Sequence, residues 1–531
     1  MRKTKAPPAM KEEYIDEDST SHLGEQTTHG GHGGHGGVDE HGNRPRNLGV
    51  LEALFHLDAD WGTSLAYILP LGLALTGRLA PIYMVIIAFI MFVVANGYKV
   101  VCHHNPDGGG VYSSLKKVNK FLAVVGALLL ITDYVVTEAL SVSDAYHYLH
   151  LDTVIPAGWA HVLPSFLTWG SIWTILIITL LTAINWRGPH FSAKFAGIAS
   201  SSTFFLAGLL AVLALPLVPA GLANIGHFNQ SIWDVLRNTT GVLLALSGVE
   251  AISNMTGIMK DPEKTSRRAI NLELVKVVFT TVVLGIAMNG LPQNVVYHGQ
   301  MADGHFAIQS EEREITDLPC VINTVKAKIA GSSFECAKRT ENVAREDMLV
   351  AIGEYLVPGT LGKVYGWAIG VAYGLLLIFA GNTALIDITN VTYALARDSE
   401  LPKGYTKLNK KYGVPVWGLF TAGIMPIVTV LVVGSSIEAL AALYAIGVVG
   451  AVTMNLAGTT LQVKGFERLI TGFGAFIMSF LFVTLVVTKM EATLFASVVL
   501  VLGLTARALQ KKFAGKGREM HSGELDLATT K

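Results

Sequence analysis

Residues 60–79 read DWGTSLAYILPLGLALTGRL. This apolar run of helical length opens on an acid, Asp60, and is interrupted by Gly62, Pro70, Gly72 and Gly77. Residues 239–258, TTGVLLALSGVEAISNMTGI, repeat the pattern: Gly241, Gly248 and Gly257 break an apolar run that carries Glu250. The first run is the first of twelve in the chain and the second is the sixth. Two broken helices five spans apart predict an inverted-repeat transporter, because broken helices expose backbone polar groups at the bilayer midplane, where ions and substrates bind. Spans 1–5 and 6–10 would form the repeats, with spans 11 and 12 appended.

Composition agrees. Of 531 residues, 51% are hydrophobic and 15% charged, against roughly 25% charged in soluble proteins. So few charges cannot coat a soluble globule of this length. Three cysteines exclude a disulfide scaffold, and zero net charge argues against nucleic acid as a partner. The remaining class is an all-α polytopic membrane protein whose main surroundings are the lipid bilayer. The apolar runs predict twelve transmembrane helices at 62–78, 80–99, 121–147, 170–186, 195–219, 239–258, 270–290, 364–388, 415–434, 438–456, 469–487 and 491–508. Basic residues cluster at Lys116, Lys117 and Lys120, at Lys260, Lys264, Arg267 and Arg268, and at Lys403, Lys407, Lys410 and Lys411. By the positive-inside rule these loops and both termini are cytoplasmic, in a plasma membrane.

Three parts follow: a disordered cytoplasmic tail over 1–50, a transporter domain over 51–510 and a short cytoplasmic tail over 511–531. No signal peptide is visible. The first tail is rich in Gly and His, reading THGGHGGHGG over Thr28–Gly37; it is read as a solvated tail, with zinc or nickel binding through its imidazoles as the alternative. No metal or cofactor is expected in the membrane domain. The outer loop 291–363 should fold as a small cap, with Cys320 and Cys336 bridged. Cys102 should be a reduced thiol. After residue 508 only about 23 polar residues remain, so a homodimer is expected to use the membrane region.

Charge within a bilayer is costly and marks pathways or relays. Here the deep ionisable residues are acidic: Asp60 on span 1, Asp133, Glu138 and Asp144 on span 3, Glu250 on span 6 and Asp387 on span 8. Lys276, near the inner end of span 7, is expected to snorkel to the interface. Acids with no deep cation imply that the cargo, or protons, bring the positive charge. Asp133, Thr137, Ser141 and Asp144 fall at helical spacing on one face, and Glu138 points about 140° away from Asp133. Asp60, Thr63 and Tyr67 share a face, and Ser247 and Glu250 stand one turn apart. These faces offer only oxygen ligands, which suit hard monovalent cations rather than soft transition metals.

Three segments resemble the amino acid–polyamine–organocation (APC) superfamily, with its LeuT-like fold of 5+5 inverted repeats and broken helices 1 and 6. They are Asn105–Lys117 (NPDGGGVYSSLKK), Ser247–Ile270 (SGVEAISNMTGIMKDPEKTSRRAI) and Asn382–Pro402 (NTALIDITNVTYALARDSELP). Within that superfamily, DWGTSLAY over Asp60–Tyr67 resembles the D-x-G-T-S-x-x-Y motif of the KUP and KimA-like potassium-uptake permeases. DYVVTEALS over Asp133–Ser141 is similar to their span 3, and Ser247 stands where they carry Thr. The resemblance implies that Asp60, Thr63, Tyr67, Asp133, Thr137, Ser141, Ser247 and Glu250 bind the cation, with Asp133 or Glu250 carrying the coupled proton. One position departs: Leu385 stands where KimA-like proteins have Tyr.

Two readings stay open. In the first, the chain is a proton-coupled potassium importer working by alternating access. In the second, it is a proton-coupled amino acid or amine permease, with a substrate carboxylate near Gly62, Thr63 and Ser64 and an ammonium near Asp133 or Glu250. The span 1 motif favours the first and Leu385 the second. A non-transporting sensor of the same fold is a third. Enzyme chemistry is not expected, since there is no nucleophile motif or metal-ligand His pair, and the glycines at 108–110 lack the Lys-Ser/Thr of a phosphate loop.

Overall fold

The computed structural model describes residues 46–154, 163–164, 167–187, 192–302 and 305–529. Nearly all of the 1–50 tail, including His29, His32, His35 and His41, lies outside them.

Helix α1 (Val50–Leu57) runs into a π-helical turn over Asp58–Gly62 and on into α2 (Ser64–Thr76). A π turn inserts a residue into the α-helical ladder and is frequent at functional sites. Gly77, at φ +54°, ends α2 in a conformation that a side chain disfavours. Helix α3 (Ala80–His104) then folds back alongside: a Cβ on Gly72 would strike the Cε of Met84, whereas a straight helix would hold these residues about 18 Å apart. Helix α4 (Gly110–Lys116) starts on the last of three glycines at positive φ, Gly108, Gly109 and Gly110. The Asn119 side chain caps α5 (Lys120–Tyr148) by accepting from the N–H groups of Phe121 and Leu122.

Helices α6 (Trp169–Asn185), α7 (Ser192–Ala214) and α8 (Val218–Ala223) follow. Helix α9 (Ile232–Gly241) starts with a reciprocal Ser231–Asp234 capping box. A 3₁₀ turn over Leu243–Leu246, extended Ser247 and left-handed Gly248 separate it from α10 (Ala251–Met255). The two halves bend by 50°. Asp261 caps α11 (Pro262–Ala287), with Pro262 at its first position.

The expected cap is shorter than 291–363. It contains α12 (Gln293–Val296), the antiparallel pair β1 (Gly299–Ala302) and β2 (His305–Ile308), then β3 (Ser310–Glu314), α13 (Leu318–Ile329) and β4 (Lys338–Asn342). In register, Gly299 faces Ile308, and Ser310 of β3 faces Asn342 of β4. Cys320 and Cys336 form a disulfide, Cα atoms 5.5 Å apart. From Met348 the chain re-enters the bundle, because the first six residues of α14 (Met348–Leu356) are buried. Five helices complete the chain: α15 (Thr360–Arg397), α16 (Val416–Val433), α17 (Ile437–Thr460), α18 (Gly465–Thr488) and α19 (Met490–Thr529).

Among the described residues, nine helical stretches are long and apolar enough to cross a membrane, or ten if the bent pair Ile232–Gly241 and Leu243–Ile258 is one span. One of the nine, Val50–His104, contains the reversal at Gly77, and α6 is a shorter apolar helix. Phe473, Phe476, Phe480 and Val483 form an exposed stripe along α18. Such a stripe is a liability in water and ordinary against lipid. The molecule is a mostly helical, multi-pass membrane protein. Its centre is α5, whose apolar stretch is 83% buried against 17% for α19; α15 and α17 pack on it. Gly447 of α17 allows that approach, since a Cβ there would lie 2.6 Å from the Asp133 nitrogen.

Candidate functional site

The two helix breaks touch. A Cβ on Gly248 would fall 2.4 Å from the Trp61 nitrogen and 2.7 Å from the Asp60 Cγ. The π turn therefore lies directly against the unwound stretch, fastened by the Trp61 indole N–H donating to the Ala245 carbonyl at 3.0 Å. Asp60 is buried beside this contact. Thr63 donates to the Asp60 carbonyl, and its hydroxyl lies 3.1 Å from that of Tyr67. The expected shared face of Asp60, Thr63 and Tyr67 is present despite the π turn.

Asp133, on the central helix, faces Asp60, Glu250, Thr137 and Tyr444. Thr137 donates back to the Asp133 carbonyl at 3.0 Å. Ser141 lies beside Tyr67, and Ser247 beside Tyr444. All eight residues expected at the site are thus brought together. Ser247 and Glu250 reach it differently from the helical turn expected, because Ser247 is extended and Gly248 left-handed. Both carboxylate oxygens of Asp133, Oε2 of Glu250 and the hydroxyls of Ser141, Ser247 and Tyr444 are buried without a hydrogen-bond partner. Buried polar atoms are normally paired, and here several unpaired ones share one region. No lysine or arginine enters it among the described residues.

The other acids separate from this group. Glu138 lies against Gly381 of α15, on the far side of α5 as its spacing requires. Asp144 sits toward the cap, near Glu346 and Asp347. Both keep two buried, unpartnered oxygens. Asp387 lies on α15 near Tyr134. Leu385 is fully buried in an apolar cluster with Ile388 and Ala384. Between the cap and α16–α17 opens a cavity of about 900 Å³, lined by Glu311, Glu341, Glu346 and Glu438, with Arg313. It ends at Pro70 and Leu71, one turn beyond Tyr67.

Lys276 corrects an expectation. It does not snorkel: its side chain is 5% exposed and it is ion-paired with Asp58, while Glu273 lies at 3.3 Å. Gly62 makes room, because a Cβ there would lie 2.7 Å from the Lys276 Nζ. The reading also missed Asp58, Glu273 and Tyr444. Asp58 flanks the first predicted span and Glu273 lies inside the seventh, 270–290, so both acids could have been flagged on that ground. Tyr444 sits in an unremarkable stretch, and only the tertiary packing reveals it. The same holds for His103 and His104, which end α3 within 4.8 Å of Glu467; no His motif announces them.

Bent and continuous apolar helices around a buried acidic centre define a polytopic membrane protein. A family model described as "Amino acid permease" matches residues 61–302, a stretch that begins within the π turn, one residue after Asp60, and includes α5 and the second break. The chain is also 24% identical over 472 residues to "Potassium transporter KimA" of Bacillus subtilis (strain 168), across 83% of this chain and 67% of the relative. These matches bear out the resemblance to the APC superfamily and its KimA-like members.

Proposed function

We propose that this chain is a secondary transporter that couples inward potassium movement to protons by alternating access. The observation that carries this reading is the set of unpartnered oxygens of Asp133, Glu250, Ser141, Ser247 and Tyr444 at the crossing of the two breaks. An uncompensated carboxylate in a dry interior costs several kcal/mol (a few, after relaxation). A cation carried in from outside, with a proton on one of the acids, removes that cost. The oxygens of Asp60, Thr63, Tyr67, Thr137 and their neighbours then substitute for the ion's hydration shell. Asp133 or Glu250 takes the coupled proton on the outer side together with the ion and releases it on the inner side. The acidic lining of the cavity beneath the cap concentrates cations at the entrance. A potassium transporter among the relatives supports the choice of cargo.

The arrangement belonging to this reading is LeuT-like, with 5+5 inverted repeats and twelve crossings. Val50–His104 supplies two of them, the bent pair one and α6 one. Residues 51–510 form the transporter domain in the plasma membrane, with both tails cytoplasmic, and a homodimer would form through lipid-facing helices.

Reconstituted protein with an inward proton gradient should take up rubidium or potassium, and Asp133→Asn should reduce uptake at least 100-fold. Uptake of amines or amino acids with none of rubidium refutes the potassium reading. That second reading, a proton-coupled amine or amino acid permease, is favoured by two observations: the amino acid permease match, and the apolar packing of Leu385, which offers no ligand.

A further inference from the structure

Span 1 carries a second acid on its other side. Asp58 is fully buried and ion-paired with Lys276. It also accepts from Ser200 at 2.6 Å and Thr203 at 3.3 Å, both on α7. Lys276 stands 5.4 Å from the Phe204 ring centre and 3.3 Å from the Oε1 of Glu273. Glu273 is fully buried, and its Oε2 has no partner. The Tyr373 hydroxyl, on α15 in the same electrostatic neighbourhood, also lacks one.

One cation faces two carboxylates. Lys276 neutralises Asp58, with which it makes the shorter contact, and Asp58 has two further donors. Glu273 is left as the surplus acid, with a single distant donor. In the membrane interior a second uncompensated charge is expensive, so charge balance calls for one proton, and Glu273 is where it sits. The titratable groups facing Glu273 are Lys276 on its own helix, Asp58 on the π turn and Tyr373 on α15; α7 contributes the hydroxyls of Ser200 and Thr203.

We infer that Glu273 is a second proton site, separate from the cargo site, and that its protonation controls the position of the span 1 break. The step balances simply. The Glu273 carboxyl O–H bond breaks, its proton passes to water on the releasing side, and the electron pair stays on the carboxylate. Lys276 then turns from Asp58 toward Glu273. Asp58 keeps Ser200 and Thr203 but loses its cation, so the π turn is no longer pinned to α11. Asp60, two residues on, moves with it. Proton release on one face of span 1 thus loosens cargo on the other.

The inference rests on the proton-coupled uptake reading, and exchange can be tested apart from coupling. In proteoliposomes, wild type should show rubidium–rubidium exchange, and accumulation under a gradient of one pH unit with a permeant anion collapsing the potential. Absence of exchange in wild type overturns the proposed function itself. Glu273→Gln, which holds the break as the protonated acid does, should slow exchange and make it independent of pH, while rubidium still raises the melting temperature of the folded variant as it does that of wild type. Glu273→Asp, which keeps an ionisable group, should accumulate rubidium with a displaced pH profile, and it serves as the test if the glutamine variant does not fold. Accumulation by Glu273→Gln with the wild-type pH profile overturns the inference. So does loss of the rubidium-induced rise in melting temperature in a folded Glu273→Gln, which would make Glu273 part of the cargo path, or an unshifted profile in Glu273→Asp.

Discussion

Replacing Gly248 with alanine adds one carbon where the two helix breaks meet. Two penalties arise. Gly248 has φ +86°, and a left-handed conformation costs a residue with a Cβ about 1–2 kcal/mol. The added carbon would also lie 2.4 Å from the Trp61 nitrogen and 2.6 Å from the Asp60 carbonyl carbon. Both are backbone atoms, so no rotamer change relieves the contact. Ordinary contact begins near 3.4 Å, so the two segments must part by about 1 Å. Overpacking of this kind costs about 1–3 kcal/mol. Together the terms reach roughly 2–5 kcal/mol, at or below a typical net stability of about 5–15 kcal/mol, so the variant should fold with a lowered melting temperature. Transport should suffer more. A shift of about 1 Å in a positioned group costs on the order of 100-fold in rate, and here Asp60 moves away from Asp133 and Glu250. Rubidium uptake and thermal melting of Gly248→Ala should therefore both fall. Gly208→Ala, where nothing lies within 4 Å, should change neither. Wild-type uptake by a well-expressed Gly248→Ala would refute the direct crossing of the breaks and the site built on it.

Three further outcomes are expected. Tyr444→Phe should cut uptake about 10- to 100-fold without lowering the melting temperature, since a hydrogen bond to a charged group contributes about 1.5–3 kcal/mol and this hydroxyl makes none in the unloaded site; unchanged uptake would remove Tyr444 from the site. Reducing the Cys320–Cys336 bridge should expose Lys326 and Lys328, on α13 between the two cysteines, to trypsin more often, because a loop of this size contributes about 3 kcal/mol; equal cleavage of reduced and oxidised protein would show that the cap does not depend on it. In the cap, the Glu346 side chain bonded to His298 at 2.9 Å holds the imidazole above its ordinary range. Burial pushes Glu346 up, but His298 and His147 outweigh it and hold it below the usual carboxylate range. The raised histidine stabilises the cap below about pH 6.5 and loses this as pH rises through its folded value; the lowered glutamate does so above about pH 4.3 and loses it as pH falls through its own. Cap amides should thus be best protected, relative to their intrinsic exchange rate at each pH, between these limits, and a protection profile flat from pH 5 to pH 9 would contradict the pairing.

The periodicity of span 3 was legible because an unbroken helix carries its side chains at fixed angles: Asp133, Thr137 and Ser141 reach the same region and Glu138 does not. Ser247 and Glu250 were legible as site residues but not in their geometry, since one left-handed glycine replaces the helical turn that their spacing implies. Span counting ran into the same limit. A reversal at Gly77 divides one long apolar stretch, and a bend of 50° divides another, so hydropathy alone does not say how many crossings each makes. Tyr444 was not legible, because nothing local distinguishes a tyrosine that meets a carboxylate from one that packs in a core. Lys276 was misread for the opposite reason. Its place near a span end suggested escape to the interface, but its partner, Asp58, lies more than 200 positions away in sequence (218).

That misreading sharpens the case for a cationic cargo. Asp58 and Asp60 stand two residues apart on one helical turn and face opposite sides of span 1. On the α11 side the chain supplies its own counter-cation: Lys276 is buried to reach Asp58, and Ser200 and Thr203 complete the carboxylate's hydrogen bonds. On the α5 side there are three carboxylates, Asp60, Asp133 and Glu250, and no described lysine or arginine approaches them. The same fold, at the same depth, can bury a lysine where an acid needs permanent neutralisation. Its absence beside Asp133 is therefore not forced by the membrane. A fixed ammonium there would hold the site shut, and a mobile cation can enter, balance the charge and leave.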